Sequence, residues 1–379
     1  MSPKKFIMLV NCYPHPFHVK KEEDYFLIPC SVMSKKGFGC EYVTLRAQGS
    51  RTIETKFAKD SAYEEYYEGF KIRRFDKTTQ LLSYIRKERA ILQSNLRPWL
   101  PSTLSAFLPN TKVMRSFTYF MGSNMPIAFF SAFAFRFFDR ILAVTPYEMD
   151  VYRKYKLPEK KLRLIPFAID YSFFSKKVPA DDFKEKFGIK EQDKLIVAAA
   201  NVRKLKRFDV LIKALPLVKE EIPSAKAVIV GADLLHAQGL PSIKELAEKY
   251  GVSGSVVLAG HNDAEGVRKF YSMSHVFCHP AADEYQGLVS YEAAAMGLPL
   301  CLSTIGSHTS VYKEHALYHD VGDYEKLAKD IIYSIKHRDE REEHIRFLKE
   351  HMKEWDEKLI FKKTSDFYDE LIESKKLKF

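Results

Sequence analysis

Short apolar segments alternate along the chain with longer stretches in which apolar residues return every three or four positions. The short segments have the length and apolar content of buried β-strands, and the longer stretches have the periodicity of helices that cover a sheet. This alternation predicts an α/β protein with parallel sheets covered by helices. The predicted strands are residues 6–10, 42–45, 70–73, 113–117, 140–144, 164–166, 195–199, 227–230, 256–258, 276–279 and 298–302, and the clearest predicted helices are residues 209–220, 243–250 and 324–336.

The alternating pattern occurs in two sets, which predicts two domains. Around residues 176–180 the periodicity stops, and two lysines are followed closely by Pro179, as in many interdomain segments. We therefore place one domain at residues 1–178 and a second at residues 179–355, followed by a helix over residues 356–379. A chain of 379 residues is long enough for two domains of ordinary size.

Residues 116–135 contain no charged side chain, a property that membrane-spanning helices share. Several of these residues are Ser, Thr, Asn, Gly or Pro, and only nine residues separate Pro126 from Arg136, so a membrane-spanning helix is not predicted. We predict instead a helix over residues 127–138, flanked on its far side by Arg140. Its phenylalanines either pack in the core or dip into lipid headgroups.

The composition is that of an ordinary globular protein. Hydrophobic residues make up 46% and charged residues 29% of the chain, which argues against disorder over most of its length. The five cysteines are scattered without a Cys-x-x-Cys pair, so neither a zinc site nor a disulfide framework is predicted. The apolar run at residues 6–10 is too short for a secretion signal. Together these features predict a reducing, cytoplasmic location.

The net charge of +11 is concentrated in the first half of the chain. Residues 1–178 carry 30 Lys and Arg against 16 Asp and Glu, a net +14, whereas residues 179–379 carry 30 against 33, a net −3. The excess is either an ordinary solvated surface or a surface for an anionic partner such as a membrane, an anionic acceptor or nucleic acid. Nucleic acid is the partner we do not expect, because no recognisable nucleic-acid-binding motif occurs in the sequence.

One segment combines residue types that bind phosphates and sugars. Glu284 and Glu292 lie eight residues apart with Gly287 between them, and a predicted helix starts near Val289. The free N–H groups of a helix N-terminus favour phosphate, and glycine allows a close approach of the backbone. Carboxylates before and inside such a helix can accept hydrogen bonds from sugar or ribose hydroxyls. Taken alone, the same spacing also fits an ordinary helix whose acids only offset the helix dipole.

The same segment resembles the Glu-x7-Glu signature of retaining GT-B glycosyltransferases of the large group 1 family, of the family 4 type. Residues 201–212 resemble the donor-phosphate loop of that family, and residues 165–174 resemble its interdomain stretch. Residues 256–260, followed by Tyr271 and Val276, resemble its strand-to-helix region beside the nucleotide base. The resemblance covers residues 139–335 well and is thin before them. The signature positions that agree are Pro280, Glu284, Gly287, Leu288, Glu292, Ala293, Gly297 and Pro299.

The resemblance implies two Rossmann-like doubly wound domains that face a cleft, the GT-B fold, and a C-terminal helix that crosses back to the first domain. It implies a nucleotide-sugar donor with UDP or GDP, and chemistry that retains the anomeric configuration without a cofactor or metal. By this resemblance Glu284 contacts the donor sugar, Glu292 binds the ribose, and Arg203 and Lys206 neutralise the diphosphate. The implied catalytic residues are Glu284, Arg203 and Lys206, and the implied donor-binding residues are Asn201, Arg203, Lys206, Gly260, Glu284, Gly287, Leu288, Val289 and Glu292.

The first half of the chain departs from the family pattern. Many members carry Gly-Gly in the loop after the first strand, where this chain has residues 13–20 without glycine. Many also place a histidine against the donor sugar after a middle strand, and the corresponding stretch here contains none. Either His15 or His18 takes this role, or Thr118 or Tyr119 takes it, or the role is absent.

We therefore predict a retaining glycosyltransferase that moves a sugar to a hydroxyl acceptor, either a lipid-linked or an anionic saccharide. The basic, aromatic first domain would bind peripherally to the inner face of a membrane. Two alternatives stay open. One is another GT-B enzyme, such as a sugar epimerase, and the other is a basic membrane- or nucleic-acid-binding module with a degenerate catalytic half. Transfer or hydrolysis of a nucleotide-sugar separates the enzymes from the binding module.

Overall fold

The structure is a computed structural model of the chain and describes residues 4–10, 27–45, 64–67, 69–88, 90–95, 103–115 and 132–375. The chain divides into two compact units, Met1–Phe167 with Lys358–Phe379, and Ala168–Glu357. Each unit contains one sheet of mainly parallel strands. The predicted class, α/β with two Rossmann-like units, is confirmed.

The first unit has a sheet in which the strand order reverses once. Its strands are β1 (Lys5–Leu9), β2 (Gly39–Leu45), β3 (Glu64–Tyr67), β4 (Phe70–Phe75), β5 (Ala90–Asn95), β6 (Thr111–Arg115), β7 (Arg140–Ala143) and β8 (Leu162–Leu164). Its helices are α1 (Leu27–Lys35), α2 (Thr78–Lys87) and α3 (Pro146–Lys154), and a further helix is described below. The strand order is β3-β4-β2-β1-β5-β6-β7-β8, with the edge strand β3 antiparallel to β4.

The second unit has a six-stranded parallel sheet. Its strands are β9 (Lys194–Ala199), β10 (Ala225–Val230), β11 (Val256–Gly260), β12 (Val276–His279), β13 (Leu300–Ser303) and β14 (Leu317–His319), in the order β11-β10-β9-β12-β13-β14. Its helices are α4 (Tyr171–Phe174), α5 (Asp181–Phe187), α6 (Phe208–Glu221), α7 (Ile243–Lys249), α8 (Ala264–Met273), α9 (Leu288–Met296), α10 (Gly306–Tyr312), α11 (Tyr324–Lys336) and α12 (Glu342–His351). The order reverses between β9 and β12, the position outside whose strand ends such sheets bind ligands.

The inner strands of the second sheet, β10, β9, β12 and β13, are buried on both faces, which explains why they are largely apolar. On β9 the side chains of Leu195 and Val197 face one apolar cluster, and those of Ile196 and Ala198 face another. Alternate residues of a strand point to opposite faces, so a strand covered on both sides needs apolar residues at every position.

A helix from the end of the sequence completes the core of the first unit. Helix α13 (Glu357–Ser374) packs Phe367 and Leu371 into the cluster that contains Phe6 of β1. The hydroxyl of Tyr368, also buried there, donates a hydrogen bond to Gln93. This helix occupies the region predicted as residues 356–379, and it belongs to the same compact unit as residues 1–167.

The structure differs from the sequence-based expectations at the domain boundary and at three strands that were not predicted, β3, β5 and β14. The boundary lies between Phe167 and Ala168 rather than near residue 178, because Ile169 and Phe174 pack in the core of the second unit. Strand β5 was not predicted, because its second half is polar although all six residues are buried. Strand β14 was not predicted either, because three residues are too few to give a pattern.

The predicted helix over residues 127–138 is described from residue 132 onward, where it is helical only as far as Phe135 and then continues as a turn. Phe135 and Phe138 of this segment are buried in the core, whereas Phe133 and Phe137 are 50% and 46% exposed. Together with Phe107, which is 50% exposed and packs against Phe137 with its ring tilted, Phe133 and Phe137 form what we call the phenylalanine patch. Within the described ranges, no helix has both the length and the apolar character needed to traverse a bilayer.

Candidate functional site

Four loops of the second unit follow the carboxyl ends of adjacent strands β11, β10, β9 and β12, on both sides of the point where the strand order reverses. Backbone hydrogen bonds of 2.7–2.9 Å join these loops, so that the predicted phosphate loop and the Glu284 loop are held side by side. The amides of Val202, Gly231 and Ala282 donate to the carbonyls of Ala232, Gly260 and Leu205, respectively.

A glycine is required where two of these loops cross. Gly231 has a φ of +141°, and a Cβ atom built on it would lie 2.1 Å from the carbonyl oxygen of Ala200. Both the backbone angle and the approach exclude any larger residue. The crossing therefore fixes the start of the loop that carries Lys206.

Within that loop the cations have different surroundings. Arg207 adopts a left-handed conformation, and its guanidinium is bound by Asp209 at 3.0 Å. Arg203 and Lys204 are exposed to solvent. Lys206 forms an ion pair with Glu284 of the neighbouring loop, with side chains that are only 22% and 13% exposed. The two predicted residues are thus in contact although 78 positions separate them.

The carboxylate of Glu284 has three hydrogen-bond partners. Oε2 accepts from Lys206 and lies 3.2 Å from Nε2 of His279, while Oε1 accepts from the backbone N–H of Tyr285 at 3.0 Å. Burial alone would raise the pKa of this carboxyl. The positive charge of Lys206 and the hydrogen bond from His279 outweigh burial and hold the pKa of Glu284 well below its usual range. Glu284 is therefore an anion at any physiological pH.

Two buried histidines lie behind Glu284. His279 ends β12 and is fully buried, and its edge-to-face contact with His308 has ring centroids 5.5 Å apart. Burial lowers the pKa of both imidazoles, that of His308 to about 3, so both rings are neutral. Nδ1 of His308 lies 3.0 Å from the carbonyl of Ser303, which requires the proton of His308 on that nitrogen.

The start of helix α9 is shaped by Gly287. This residue is the left-handed cap before Leu288, with a φ of +73°, and a Cβ atom on it would lie 2.8 Å from Cγ of Glu284. The hydroxyl of Ser290 donates to the carbonyl of Gly287 at 2.6 Å. The geometry leaves the first N–H groups of a nine-residue helix at the carboxyl edge of the sheet, next to the Lys206–Glu284 pair. Such an end favours negatively charged ligand groups.

Glu292 lies one turn further along α9, where Tyr271 of α8 reaches it. The Tyr271 hydroxyl is 3.4 Å from Oε2 of Glu292 and 3.1 Å from the carbonyl of Val289. Tyr271 is fully buried, and burial raises its pKa well above the usual value, so the phenol keeps its proton and acts as donor. Its single hydroxyl proton is within reach of both acceptors, the nearer Val289 carbonyl and the partly exposed carboxylate of Glu292.

The predicted site residues fall into three groups. Lys206, Glu284, Gly287, Leu288, Val289 and Glu292 lie on the two joined loops and the first turns of α9. Asn201, Arg203 and Gly260 lie at the same edge of the sheet, with Gly260 at the end of the edge strand β11. His15, His18, Thr118 and Tyr119 lie outside the described residues.

The sequence-based prediction missed three side chains of this site: His279, Tyr271 and His308. His279 carried a usable signal, because it ends a predicted strand directly before the Glu284 loop, and strand ends of this kind face ligands. Tyr271 carried only its place in the resemblance beside the nucleotide base, without an assigned role. His308 carried no signal, since packing brings it to the site from an element that follows the Glu284 loop and α9 in sequence.

Comparison with known proteins agrees with this geometry. Residues 179–351 match the family model described as glycosyl transferases group 1. The mannosylfructose-phosphate synthase of Agrobacterium fabrum is 26% identical over 215 residues, which is 54% of this chain and 46% of that protein. A D-inositol 3-phosphate glycosyltransferase of Xylanimonas cellulosilytica is 27% identical over 179 residues, 46% of this chain and 42% of that protein. The matches thus span less than half the length of these relatives and confirm the group 1 resemblance.

Solved structures match nearly the whole chain in fold. The sucrose-phosphate synthase of Thermosynechococcus elongatus superposes with a TM-score of 0.75 at 15% identity and covers 98% of this chain and 100% of its own. Alr3699/HepE of Anabaena, in complex with UDP-glucose, gives a TM-score of 0.74 at 13% identity, covering 96% and 99%. At these identities the likeness shows the fold, which is GT-B.

Proposed function

We propose that the protein is a retaining glycosyltransferase that takes its sugar from a nucleoside diphosphate sugar. The observation that carries the proposal is the Lys206–Glu284 ion pair beside the N-terminus of α9, at the point where the strand order of the second sheet reverses. A cation and free helical N–H groups can bind a diphosphate, and a carboxylate can accept hydrogen bonds from a sugar. UDP is the nucleotide to test first, because a structural neighbour was solved with UDP-glucose.

In this proposal each group has one task. Lys206 and Arg203 bind the diphosphate, helped by the N–H groups at the start of α9. Glu284 accepts hydrogen bonds from sugar hydroxyls, and Glu292 accepts them from the ribose.

The reaction then breaks the bond between the anomeric carbon and the diphosphate oxygen and forms a bond to the acceptor oxygen on the same face. The acceptor proton passes to a donor phosphate oxygen. Negative charge develops on the departing diphosphate, and the positive charges of Lys206 and Arg203 beside it lower the barrier. We expect neither a metal ion nor a cofactor to be needed, which transfer assays with and without EDTA would test.

The proposal is tested with a panel of UDP-, GDP- and ADP-sugars, each offered with saccharide and lipid-linked acceptors. Transfer from one donor with retained anomeric configuration, read by NMR of the product, supports the proposal. An inverted product contradicts the retaining mechanism. Interconversion of the donor sugars without transfer indicates an epimerase instead. The absence of nucleotide binding throughout the panel contradicts the enzyme proposal altogether.

Removing the Tyr271 hydroxyl is expected to weaken nucleotide binding by about threefold to tenfold, because Glu292 loses a hydrogen-bond donor that helps to hold its carboxylate. The change is Tyr271→Phe, and the measurement is calorimetric titration with UDP. Tyr318→Phe is the matched control, since the Tyr318 hydroxyl is buried without a hydrogen-bond partner among the described residues. Equal affinities for the Tyr271 variant and the wild type would contradict the contribution of the Tyr271 hydroxyl to nucleotide binding.

We further propose that the first unit binds an anionic membrane surface on the cytoplasmic side, where a lipid-linked acceptor would be presented. The support is the phenylalanine patch together with its basic surroundings. Arg136 is exposed between Phe133 and Phe137, and Lys161 donates to the carbonyls of Arg136 and Phe138. Exposed aromatics flanked by cations are typical of surfaces that insert shallowly into lipid headgroups.

Flotation with vesicles that contain phosphatidylglycerol is expected to retain the wild type at low salt and to release it as salt rises. The double change Phe133→Ser and Phe137→Ser is expected to abolish most of this binding. Phe347→Ser is the control, because Phe347 is equally exposed, at 47%, but lies in the second unit. The proposal of an anionic membrane as partner would be contradicted if vesicle binding did not depend on anionic lipid. It would also be contradicted if the Phe133/Phe137 variant and the Phe347 variant lost binding equally.

A further inference from the structure

Glu284 is held by two side chains of very different freedom, Lys206 and His279. We propose that His279 is a positioning residue, which holds the carboxylate of Glu284 in the orientation that binds the donor sugar. It keeps this orientation when Lys206 binds the diphosphate. The inference rests on the proposed function and adds to it a residue that neither the signature nor the phosphate loop includes.

The ring of His279 cannot turn. The residue ends β12, where it is the register partner of Leu302 on β13, and it is fully buried. Its ring lies parallel to that of Phe277, with an interplanar angle of 7° and centroids 6.1 Å apart. The ring of His308 closes another side at 5.5 Å. Close packing of this kind locks a side chain in one rotamer.

The single N–H of the His279 ring donates its hydrogen bond to Glu284. The buried imidazole is neutral and carries one N–H, and its Nε2 lies 3.2 Å from Oε2 of Glu284. A carboxylate anion only accepts hydrogen bonds, so that N–H must be on Nε2. Nδ1 is then the acceptor nitrogen, and it has no hydrogen-bond partner among the described residues. The result is a fixed donor aimed at one oxygen of the carboxylate.

Lys206 is the opposite kind of partner. Its ammonium is a compact point charge on four flexible carbons, carried by a short turn of three residues. A diphosphate carries more negative charge than Glu284 and competes for the same ammonium. When the ammonium of Lys206 turns to the diphosphate, Oε2 of Glu284 retains the hydrogen bond to His279, and Oε1 retains the hydrogen bond from the backbone N–H of Tyr285. One hydrogen bond alone would let the carboxylate rotate out of its sugar-binding orientation.

Three substitutions of His279 separate positioning from packing. His279→Leu fills the space but removes the donor. His279→Gln places an amide N–H close to the position of Nε2, whereas His279→Asn places it near the position of Nδ1, too far back to reach Glu284. Gln and Asn are equally polar, so the pair differs chiefly in where the donor lies.

The experiment measures UDP affinity and, with the donor identified in the panel, kcat and KM for each variant. His279→Leu and His279→Asn are expected to bind UDP within about twofold of the wild type and to lose tenfold or more in kcat/KM, and His279→Gln is expected to recover most of that loss. UDP itself lacks the sugar, so its binding reports an intact nucleotide site.

The inference is overturned if His279→Leu keeps kcat/KM within twofold, if His279→Gln is as poor as His279→Asn, or if UDP affinity falls as far as kcat/KM. Should the leucine variant fail to fold, the Gln and Asn pair decides. An active wild type with unaffected variants defeats this inference alone, whereas a wild type that neither binds nucleotide nor transfers sugar defeats the proposed function with it.

Discussion

Replacing Lys206 with alanine is expected to lower kcat for sugar transfer by about 100- to 1000-fold. A loss of this size is usual when an enzyme loses one group that stabilises the charge developing in the transition state. In the proposed reaction this charge develops on the departing diphosphate. Lys206 is the cation of its loop that contacts Glu284, and its side chain is largely shielded from water. The shielding strengthens its interaction with a second negative group. Steady-state kinetics with the donor found in the panel would measure the loss.

A neighbouring lysine supplies the control for this experiment. Lys204 belongs to the same short turn, but it is exposed, and its backbone N–H rather than its side chain donates the hydrogen bond to Gln238. Lys204→Ala is expected to keep kcat within about twofold, because an exposed charge contributes little. A Lys206→Ala variant with the activity of the Lys204→Ala variant would remove Lys206 from the mechanism.

Replacing Gly231 with alanine is expected to destabilise the second unit by about 3 kcal/mol, since backbone strain and overpacking add at this position. The new Cβ atom would lie 2.1 Å from the oxygen and 2.5 Å from the carbon of the Ala200 carbonyl. Backbone atoms on both sides cannot move aside as the end of a flexible side chain can. Thermal and denaturant unfolding, followed by tryptophan fluorescence and circular dichroism, would measure the effect.

Gly251 separates the two sources of this cost. It has a left-handed φ of +69°, and no atom lies within 4 Å of the place that a methyl group would take, so Gly251→Ala adds only backbone strain, about 1 kcal/mol. The difference between the two variants measures the clash itself. Equal stability of the Gly231 and Gly251 variants would mean that the loop after β10 can move away from Ala200 at little cost.

Much of the fold was readable from the sequence because most strands are buried on both faces. Such strands are continuous apolar runs, and the predicted segments at residues 6–10, 195–199 and 276–279 correspond to β1, β9 and β12. Strand β5 was not predicted, because Gln93 and Asn95 are polar although they are buried. Their burial is tolerated because Gln93 donates to Asn95 at 2.7 Å and accepts from Tyr368, a residue 275 positions away. No local pattern can reveal a partner at that distance.

The site was readable only where its chemistry is carried by a contiguous motif. The spacing of Glu284, Gly287 and Glu292 marked one loop and helix, and the cations at residues 203–207 marked a second loop. The sequence did not reveal which of those cations meets Glu284, because Arg207 is taken by Asp209 and Arg203 is exposed. His279 was not identified, since a lone histidine at the end of a strand has many uses. The assigned roles of all these residues stay predictions until the variants are measured.

The attachment of helix α13 to the first unit has a consequence for protein synthesis. Residues that close the apolar face beneath β1 emerge from the ribosome only after the entire second unit has been made. Domains generally fold as they are completed, in order from the N-terminus. Here that order is reversed, because all residues of the second unit are translated before α13. The first unit therefore has one face of its sheet uncovered until α13 has been made. Nascent or prematurely terminated chains would therefore present that sheet to chaperones and proteases, and shortening the chain within α13 would damage the half of the protein that was translated first.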